Sequence, residues 1–436
     1  MIELTKRLYR IAAEHRYGFT FFAYMLAAIV TGIVCVGFMK AFEAVLANRL
    51  DFRSVGAWCL LTTPALFLAA VELVRRVAPC ADGTGIPQVI FAIRNSKPAT
   101  EPVLAPLTSL TTMLVKIAAL LIGLAGGAAT GREGPTVHVA TCVFVSLLLV
   151  IRRISGIKFD MRSALVAGGA AGLAAAFNTP LAGVTFAVEE LTTDAFAGIK
   201  DVVIMAIVVA AIAAQYVQGE YSYFGRLRMP DAVPVAAPIV IGLLCGVVGV
   251  VFSTALLRGK AVALRWQAGR GRYLLPVGLA LGLLGLAWLS PVDLLGPGNS
   301  AAQTMTEGSF GSWAYAFPAT KMLATLLTYW SGIAGGIFAP TLAMGAALGG
   351  DVAHWMGLPV ASCAMIGMAA LLSGTIQAPI TAFVIIFEMT GHHAMLTPIM
   401  LGSLLACIVA RMLGAEHLYA ALSRNYQRLL PPADRP

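Results

Sequence analysis

Charged side chains are scarce in this chain. Only 12% of its 436 residues are Asp, Glu, Lys or Arg, whereas 59% are hydrophobic, and soluble domains carry roughly 25% charged residues. The composition therefore excludes an ordinary water-soluble fold. Uncharged runs such as Val233 to Leu257 exceed the roughly 20 apolar residues that a helix needs to cross a bilayer. We predict an all-α polytopic membrane protein with roughly ten to fourteen embedded segments.

The sequence also lacks the short motifs of several enzyme classes. It contains neither an HExxH zinc motif nor a GxSxG nucleophile elbow. Its seven cysteines are scattered, mostly within apolar segments, and show neither disulfide nor metal-ligand spacing. We therefore expect no enzymatic activity, no cofactor and no metal site.

The excess of cations, which gives a formal net charge of +9, lies in short loops and near the chain ends. One loop carries five cations and no acid: Arg258, Lys260, Arg265, Arg270 and Arg272. This pattern follows the positive-inside rule and predicts a multi-pass protein of the cell membrane with both termini in the cytoplasm. It favours contact with membrane lipid and argues against a nucleic-acid partner.

Two blocks of the sequence repeat. Six residue pairs share an offset of 205, and five further pairs share an offset of 199. The matched residues of the first half are Lys116, Gly127, Ala129, Gly131, Pro135, Thr136, Gly168, Ala170, Ala171, Pro180 and Glu189. Chance repetition of Gly and Ala is easy in such a sequence, but a matched lysine, two prolines and a glutamate are harder to dismiss.

The repeat predicts the organisation of the chain. We expect a cytoplasmic N-terminal segment at 1–16, membrane repeats at 17–220 and 231–422, a linker at 221–230 and a cytoplasmic tail at 423–436. Duplicated membrane halves with Gly- and Pro-interrupted segments indicate a transporter whose site lies between the repeats. The matches alone leave open whether the repeats are parallel or inverted.

Four motifs place a small or polar residue before a proline within apolar sequence. They are Gly85-Ile86-Pro87, Glu133-Gly134-Pro135, Phe338-Ala339-Pro340 and Thr179-Pro180. Proline suits the first turn of a helix, and irregular backbone inside a membrane is tolerated where it lines a cavity. Helix starts that converge there attract anions through their free amides. The simpler alternative is that Gly and Pro only kink packed helices.

Three of these regions and a late tyrosine resemble, in the same order, the signature motifs of the CLC chloride channel and transporter family. They are Gly83-Thr84-Gly85-Ile86-Pro87, Gly131-Arg132-Glu133-Gly134-Pro135, Gly335-Gly336-Ile337-Phe338-Ala339-Pro340 and Tyr419. The resemblance is to the prokaryotic H⁺/Cl⁻ exchanger branch and covers nearly the whole membrane region. It implies two inverted repeats of broken and tilted helices, a homodimer with one pore in each subunit, and anion coordination by helix ends.

The resemblance also implies which residues bind the anion. They are Thr84, Gly85, Ile86, Gly134, Ile337, Phe338 and Tyr419. Thr84 stands where the family usually has a serine, and it also fits a plain helix cap. A tyrosine near a final helix end is often an interfacial anchor, which is the alternative for Tyr419. Thr84 keeps the hydroxyl of that serine and adds a methyl group. We expect the site to prefer chloride over nitrate, but the residues themselves do not establish this preference.

Glu133 is the first candidate for chemistry. A carboxylate at a buried helix start is unfavourable unless it is paired or protonated, and its repeat partner is Phe338, so the fold does not require an acid there. The resemblance implies that Glu133 gates the anion path and carries a proton. The alternative is a salt bridge to Arg132 or Lys116.

Glu190 is the second candidate, and the repeat separates it from its neighbour. Glu189 has an equivalent in Glu388, which indicates a shared structural task such as anchoring a helix end. Glu190 has none, since Met389 stands opposite. The resemblance implies that Glu190 is the internal proton-transfer glutamate of the transporter branch, whereas the alternative is a solvated loop acid.

These residues predict a proton-coupled antiporter that exchanges chloride, or a similar monovalent anion, for protons. The alternative is a passive CLC-type anion channel, which would tolerate the loss of coupling at Glu190. The fluoride-exporting branch fits less well, because Glu190 and Pro135 follow the chloride-type pattern. The partner of the buried Lys116 stays open, since Gln88 replaces the acid that commonly follows the first motif in the family.

Overall fold

The computed structural model describes residues 2–49, 56–192, 201–219, 223, 231–266, 269 and 271–430, with side chains from residue 17 onward. Nearly all of these residues are helical, and their one β-type pairing is an isolated bridge between Gly131 and Gly336. This confirms the predicted all-α class.

The described part of the chain forms eighteen α-helices joined by short loops and single helical turns. Those of the first half are α1 (Ile2–Ala47), α2 (Cys59–Val77), α3 (Ile86–Arg94), α4 (Glu101–Leu104), α5 (Leu110–Ala125), α6 (Glu133–Ser155), α7 (Met161–Phe177), α8 (Pro180–Phe186) and α9 (Asp201–Gln218). Those of the second half are α10 (Ala236–Trp266), α11 (Gly271–Leu289), α12 (Asn299–Thr306), α13 (Phe317–Ser331), α14 (Phe338–Met356), α15 (Val360–Ile376), α16 (Pro379–Thr390), α17 (Leu396–Met412) and α18 (Leu418–Ser423).

Helix length divides these elements into two groups. Eight helices within the described ranges are long and apolar enough to cross a membrane, and the longest apolar stretches are Tyr17–Ala47 and Ala236–Trp266. Three shorter apolar helices are Met161–Phe177, Val360–Ile376 and Pro379–Thr390. The chain is a multi-pass membrane protein whose short helices begin or end within apolar sequence, as predicted for broken helices.

The repeat-matched glycines lie where helices touch. A Cβ at Gly168 of α7 would lie 2.9 Å from the Cα of Thr141 in α6, and one at Gly367 of α15 would lie 3.0 Å from the Cα of Gly349 in α14. Small residues let membrane helices approach closely and gain packing. Each central helix, α7 and α15, is therefore packed tightly against the helix before it.

The two halves are related by a local two-fold arrangement. Gly131 and Gly336 are repeat equivalents, and each donates its N–H to the carbonyl of the other at 2.8 Å. Glu189 accepts from the first-turn amides of α16 at Ile380 and Thr381 (3.0 and 2.7 Å), while Glu388 accepts from those of α8 at Leu181 and Ala182 (3.1 and 2.9 Å). The predicted helix-anchoring task of this glutamate pair is confirmed.

The proposed segment boundaries meet the helices as follows. Residues 2–16 continue into the first apolar run as one helix, α1. In the predicted linker 221–230, Tyr223 is the one residue that the structure describes. In the predicted tail 423–436, residues 431–436 lie outside the described part of the chain. The boundaries at 16, 220, 230 and 422 remain predictions.

Candidate anion and proton site

The proline motifs begin helices, as predicted. Helix α3 begins at Ile86, directly after Gly85 in the left-handed region with φ 97°, where glycine carries no steric penalty. Helices α6 and α14 begin at Glu133 and Phe338. The Gly and Pro residues therefore start helices rather than kink them.

Backbone hydrogen bonds join the loops before these three helices. The N–H of Gly335 donates to the carbonyl of Gly83 at 3.1 Å, and the hydroxyl of Thr130 donates to the carbonyl of Gly336 at 3.0 Å. A Cβ at Gly134 would lie 2.9 Å from the carbonyl oxygen of Thr84. Three motifs that lie far apart in the sequence thus meet at one point in the interior.

Aromatic contacts join Tyr419 to the same point. The ring of Phe338 stacks on that of Tyr419 with centroids 6.2 Å apart and planes 9° from parallel. Phe177, at the end of α7, lies 6.2 Å from Phe338. Tyr419 is fully buried, so the interpretation of this residue as an interfacial anchor is wrong.

Two buried hydroxyl groups at this point have no hydrogen-bond partner among the described residues: Thr84 Oγ1 and Tyr419 Oη. Buried hydroxyls in proteins are nearly always satisfied, so such atoms call for a partner such as a water molecule, a ligand or an ion. Thr84 does not cap α3, because the capping position belongs to Gly85 and no side chain bonds there. The plain helix-cap interpretation of Thr84 is therefore wrong, and its hydroxyl is available as a donor.

Glu133 is fully buried at the first position of α6. Its Oε2 accepts from the backbone N–H of Ala339, in the first turn of α14, at 3.4 Å. Its Oε1 accepts from the phenol of Tyr223. The carboxylate therefore occupies the kind of position at a helix start that suits an anion.

The cations considered as salt-bridge partners of Glu133 are directed elsewhere. Arg132 pairs with Glu43 at 2.7 Å and donates to the carbonyl of Met39 at 3.2 Å. Lys116 donates to the carbonyls of Asp82 and Gly83 at 3.2 and 3.0 Å. These contacts identify the partners of Lys116, which the sequence left open, as backbone carbonyls of the Thr84 loop.

Glu190 lies apart from the buried cluster. It belongs to the π-helical turn Ala187–Leu191 that continues α8, and it is partly exposed. Arg94 at the end of α3 and the neighbouring Glu189 are the charged groups that act on it. Glu190 is therefore part of a helical turn rather than a loop, and Glu189 is turned away toward α16.

Tyr419 reaches the surroundings of Glu133 through its stacked neighbour Phe338, because the N–H of the next residue, Ala339, donates to Glu133. The structure thus brings Thr84, Gly134, Phe338 and Tyr419 together around Glu133. Gly85, Ile86 and Ile337 flank the same helix starts.

Sequence reasoning missed the counterpart of the Thr84 loop in the second half. Lys321, the repeat partner of Lys116, donates to the carbonyls of Leu294 and Gly296 at 2.8 and 2.7 Å. Gly296 and Gly298 have φ values of 62° and 86°, as Gly83 and Gly85 have 56° and 97°. The Gly-x-Gly spacing was the available signal, but Pro297 replaces the threonine and the offset differs from 205.

Asp82 was also missed. Its carboxylate accepts from Tyr426 Oη at 2.6 Å and from Lys260 Nζ at 3.3 Å, so it ties the segment that follows Tyr419 to the loop that carries Thr84. Burial raises the pKa of the Asp82 carboxyl, but Lys260, Tyr426 and Lys116 outweigh burial and hold this pKa below its usual range. No motif in the sequence marks this residue.

Comparison with known proteins agrees with this geometry. The family described as voltage gated chloride channel matches residues 65–411. The H(+)/Cl(-) exchange transporter ClcA of Yersinia pestis is 31% identical over 421 residues, which are 91% of this chain and 85% of that protein. The ClcA protein of Vibrio cholerae is 32% identical over 442 residues, which are 94% of this chain and 92% of that protein.

Solved structures show the same fold. A slow cyanobacterial Cl⁻/H⁺ antiporter has a TM-score of 0.79 and 25% identity, covering 95% of this chain and 99% of that one. A eukaryotic CLC transporter has a TM-score of 0.76 and 21% identity, covering 92% of this chain and 73% of that one. The chain belongs to the voltage-gated chloride channel family, also called the CLC family, and the predicted fold and resemblance are confirmed.

Proposed function

We propose that this protein is an antiporter that exchanges chloride for protons across the cell membrane. The observation that carries the proposal is the position of Glu133, whose buried carboxylate accepts a hydrogen bond from the first turn of α14 beside two unpartnered hydroxyls. The exchange activity named for its bacterial relatives supports the same assignment.

The anion is held by neutral donors. Thr84 Oγ1 and Tyr419 Oη donate to it, and the first-turn amides at Ile86, Gly134 and Phe338 add the partial positive charge of helix starts. The N–H groups of Gly85 and Ile337, at the caps of α3 and α14, are further donors to the anion. Because these donors carry only partial charges, chloride binds weakly enough to leave again. We expect the site to bind chloride in preference to nitrate, since Thr84 keeps the hydroxyl of the family's serine and adds a methyl group.

Glu133 couples the two ions. As a carboxylate it competes with chloride for the donors at the helix starts. When it binds a proton it loses its charge, and with it most of its attraction to the start of α14. Chloride then takes the position that the side chain vacates. Each departure and return of Glu133 therefore moves one proton in exchange for anion movement.

In this proposal Glu190 is the internal proton-transfer residue, on the cytoplasmic side of the proton path. It is partly exposed in the turn that continues α8, and from there it exchanges protons with the cytoplasm. Glu133 is the other end of this path, beside Phe338 and the anion-binding phenol of Tyr419. The repeat equivalent of Glu190 is Met389, which is not an acid, and this fits a chemical rather than a structural task for Glu190.

The test is simultaneous measurement of chloride and proton flux from liposomes that contain the purified protein. In the wild type a chloride gradient should drive protons uphill, and Glu190→Gln should abolish proton movement while chloride flux persists. Glu189→Gln is the matched control, because its carboxylate caps α16, and it should keep the coupling. Rapid chloride flux without proton movement in the wild type would instead make the protein a passive channel.

Assembly and orientation complete the proposal. The protein forms a homodimer with one pore in each subunit. Both termini face the cytoplasm on the side of Arg265 and Arg272, which lie at the end of α10 and the start of α11 rather than in the predicted loop. The mass of the purified protein in detergent tests the dimer. Accessibility of cysteines introduced near each terminus tests the orientation.

A further inference from the structure

Tyr223 makes a contact that the proposed mechanism does not yet use. It belongs to the connection between the two repeats, and its phenol donates to Oε1 of Glu133. The side chain is 7% exposed. Glu133 is thus held from two directions, by this phenol at Oε1 and by the N–H of Ala339 at Oε2.

The ring of Tyr223 is fixed by contacts that do not involve its hydroxyl. Its centroid lies 5.2 Å from that of Phe177, and the guanidinium carbon of Arg132 lies 5.8 Å from the ring centroid. Phe177 in turn contacts Phe338 at the start of α14. Since these contacts position the ring, the hydroxyl can be removed without removing the packing.

A phenol suits this position chemically. A hydrogen bond to an ionised carboxylate is stronger than one to its neutral form, and tyrosine supplies it without adding a charge that would trap chloride. The bond therefore favours the deprotonated carboxylate in its place at the helix start over the protonated side chain that has left it.

We propose that Tyr223 is a positioning residue for Glu133, whose hydroxyl holds the carboxylate at the start of α14 and thereby sets how readily chloride displaces it. This inference rests on the proposed exchange function. It adds a control on the anion path that comes from a residue of the predicted linker, outside the matched repeat blocks.

The experiment measures coupled exchange in liposomes as a function of chloride concentration for the wild type and Tyr223→Phe. Removing the hydroxyl weakens the competitor of chloride, so the apparent KM for chloride should fall about ten- to a hundredfold, the range expected for a hydrogen bond to a charged group. The ratio of protons to chloride should stay unchanged, because Glu133 and Glu190 are intact. Tyr216→Phe, at a tyrosine of α9 that is 91% exposed, should behave as the wild type.

The decisive comparison repeats Tyr223→Phe in a Glu133→Ala background. Without the carboxylate the hydroxyl has nothing to hold, so the second substitution should leave the chloride dependence unchanged. An equal shift in both backgrounds would show that Tyr223 acts through packing, and it would overturn the inference. An unchanged KM in Tyr223→Phe alone would overturn it as well.

The same variants separate this inference from the function on which it rests. If Glu133→Ala still moved protons against a gradient, the proposed exchange mechanism and the role of Tyr223 would both be wrong. If Glu133→Ala lost proton movement while Tyr223→Phe matched the wild type, only the role of Tyr223 would be wrong.

Discussion

Helix α6 of the first repeat begins with Glu133, and helix α14 of the second repeat begins with Phe338 at the equivalent position. Both residues are fully buried, and the loops before them form reciprocal hydrogen bonds through Gly131 and Gly336. The backbone at this point is therefore alike in the two halves while the side chains differ. The comparison teaches that the fold requires a helix start at this point, not an acid.

The other polar residues also fall into two groups, those with an equivalent in the other repeat and those without one. Lys116 and Lys321 make equivalent bonds to loop carbonyls, and Glu189 and Glu388 each bond the start of the helix opposite. Glu190 has no acidic counterpart. Matched polar residues thus build the symmetric frame, while unmatched ones are available for chemistry.

The largest effect is expected where the symmetry is broken. Glu133→Ala should abolish proton movement while chloride flux persists, because it removes the carboxylate at the start of α6 and the start of α14 has Phe338 at the equivalent position. Simultaneous chloride and proton flux from liposomes measures this. Phe338→Leu is the matched control, since it changes the equivalent position without removing a proton carrier, and it should keep coupled exchange. If Phe338→Leu also abolished proton movement, the proposed difference in function between the starts of α6 and α14 would be wrong.

A smaller effect is expected at the matched lysines. Lys321→Met removes the donor that the structure shows for the carbonyls of Leu294 and Gly296, and each unsatisfied group costs roughly 1–3 kcal/mol. After Lys116→Met the carbonyls of Asp82 and Gly83 still accept from Gln88 Nε2 and from the N–H of Gly335. Both variants should lower the melting temperature of the purified protein, and Lys321→Met should lower it more.

The two lysine variants should differ in transport. Lys116 bonds the loop that carries Thr84, so Lys116→Met should also raise the apparent KM for chloride. Lys321 bonds a loop that carries Pro297 in place of that hydroxyl, so Lys321→Met should leave the KM unchanged. Equal effects on the KM would contradict the assignment of anion binding to the Thr84 loop.

The smallest effect is expected at the paired glutamates. Glu388→Gln removes the charge that faces the start of α8, and the loss of such a helix-terminal interaction costs about 0.3–1 kcal/mol, up to roughly 2 kcal/mol in partly buried sites. Melting temperature should fall slightly, and the ratio of protons to chloride should not change. If this variant uncoupled transport, the matched glutamates would have a chemical role after all.

Much of the fold could be predicted because its physical causes are local. Uncharged runs identify the membrane helices, and Pro87, Pro135, Pro180 and Pro340 stand within the first two or three positions of the helices that they were predicted to start. The repeat of Glu189 in Glu388 indicated a helix anchor, and the structure contains that anchor twice. The bridge between Gly131 and Gly336 was beyond reach, because sequence offsets carry no information about which residues face each other.

The site was predicted only in part. Glu133, Thr84 and Tyr419 were named through motif resemblance, and the structure places all three near the meeting point of the helix starts. Tyr223 and Asp82 were not named, since a tyrosine in a polar connection and an aspartate before a glycine are common in any sequence. Their roles depend on the groups that they contact.

The sequence by itself determined that this chain enters a membrane, that it is built from two related halves, and that helices start inside its apolar segments. These properties follow from hydrophobicity and backbone preferences that act within a few residues. Only the tertiary structure decided that Glu133 accepts from Ala339 and Tyr223, and that Lys116 bonds the loop of Thr84. Such contacts join residues 33 to 206 positions apart, and no local preference links atoms at those separations.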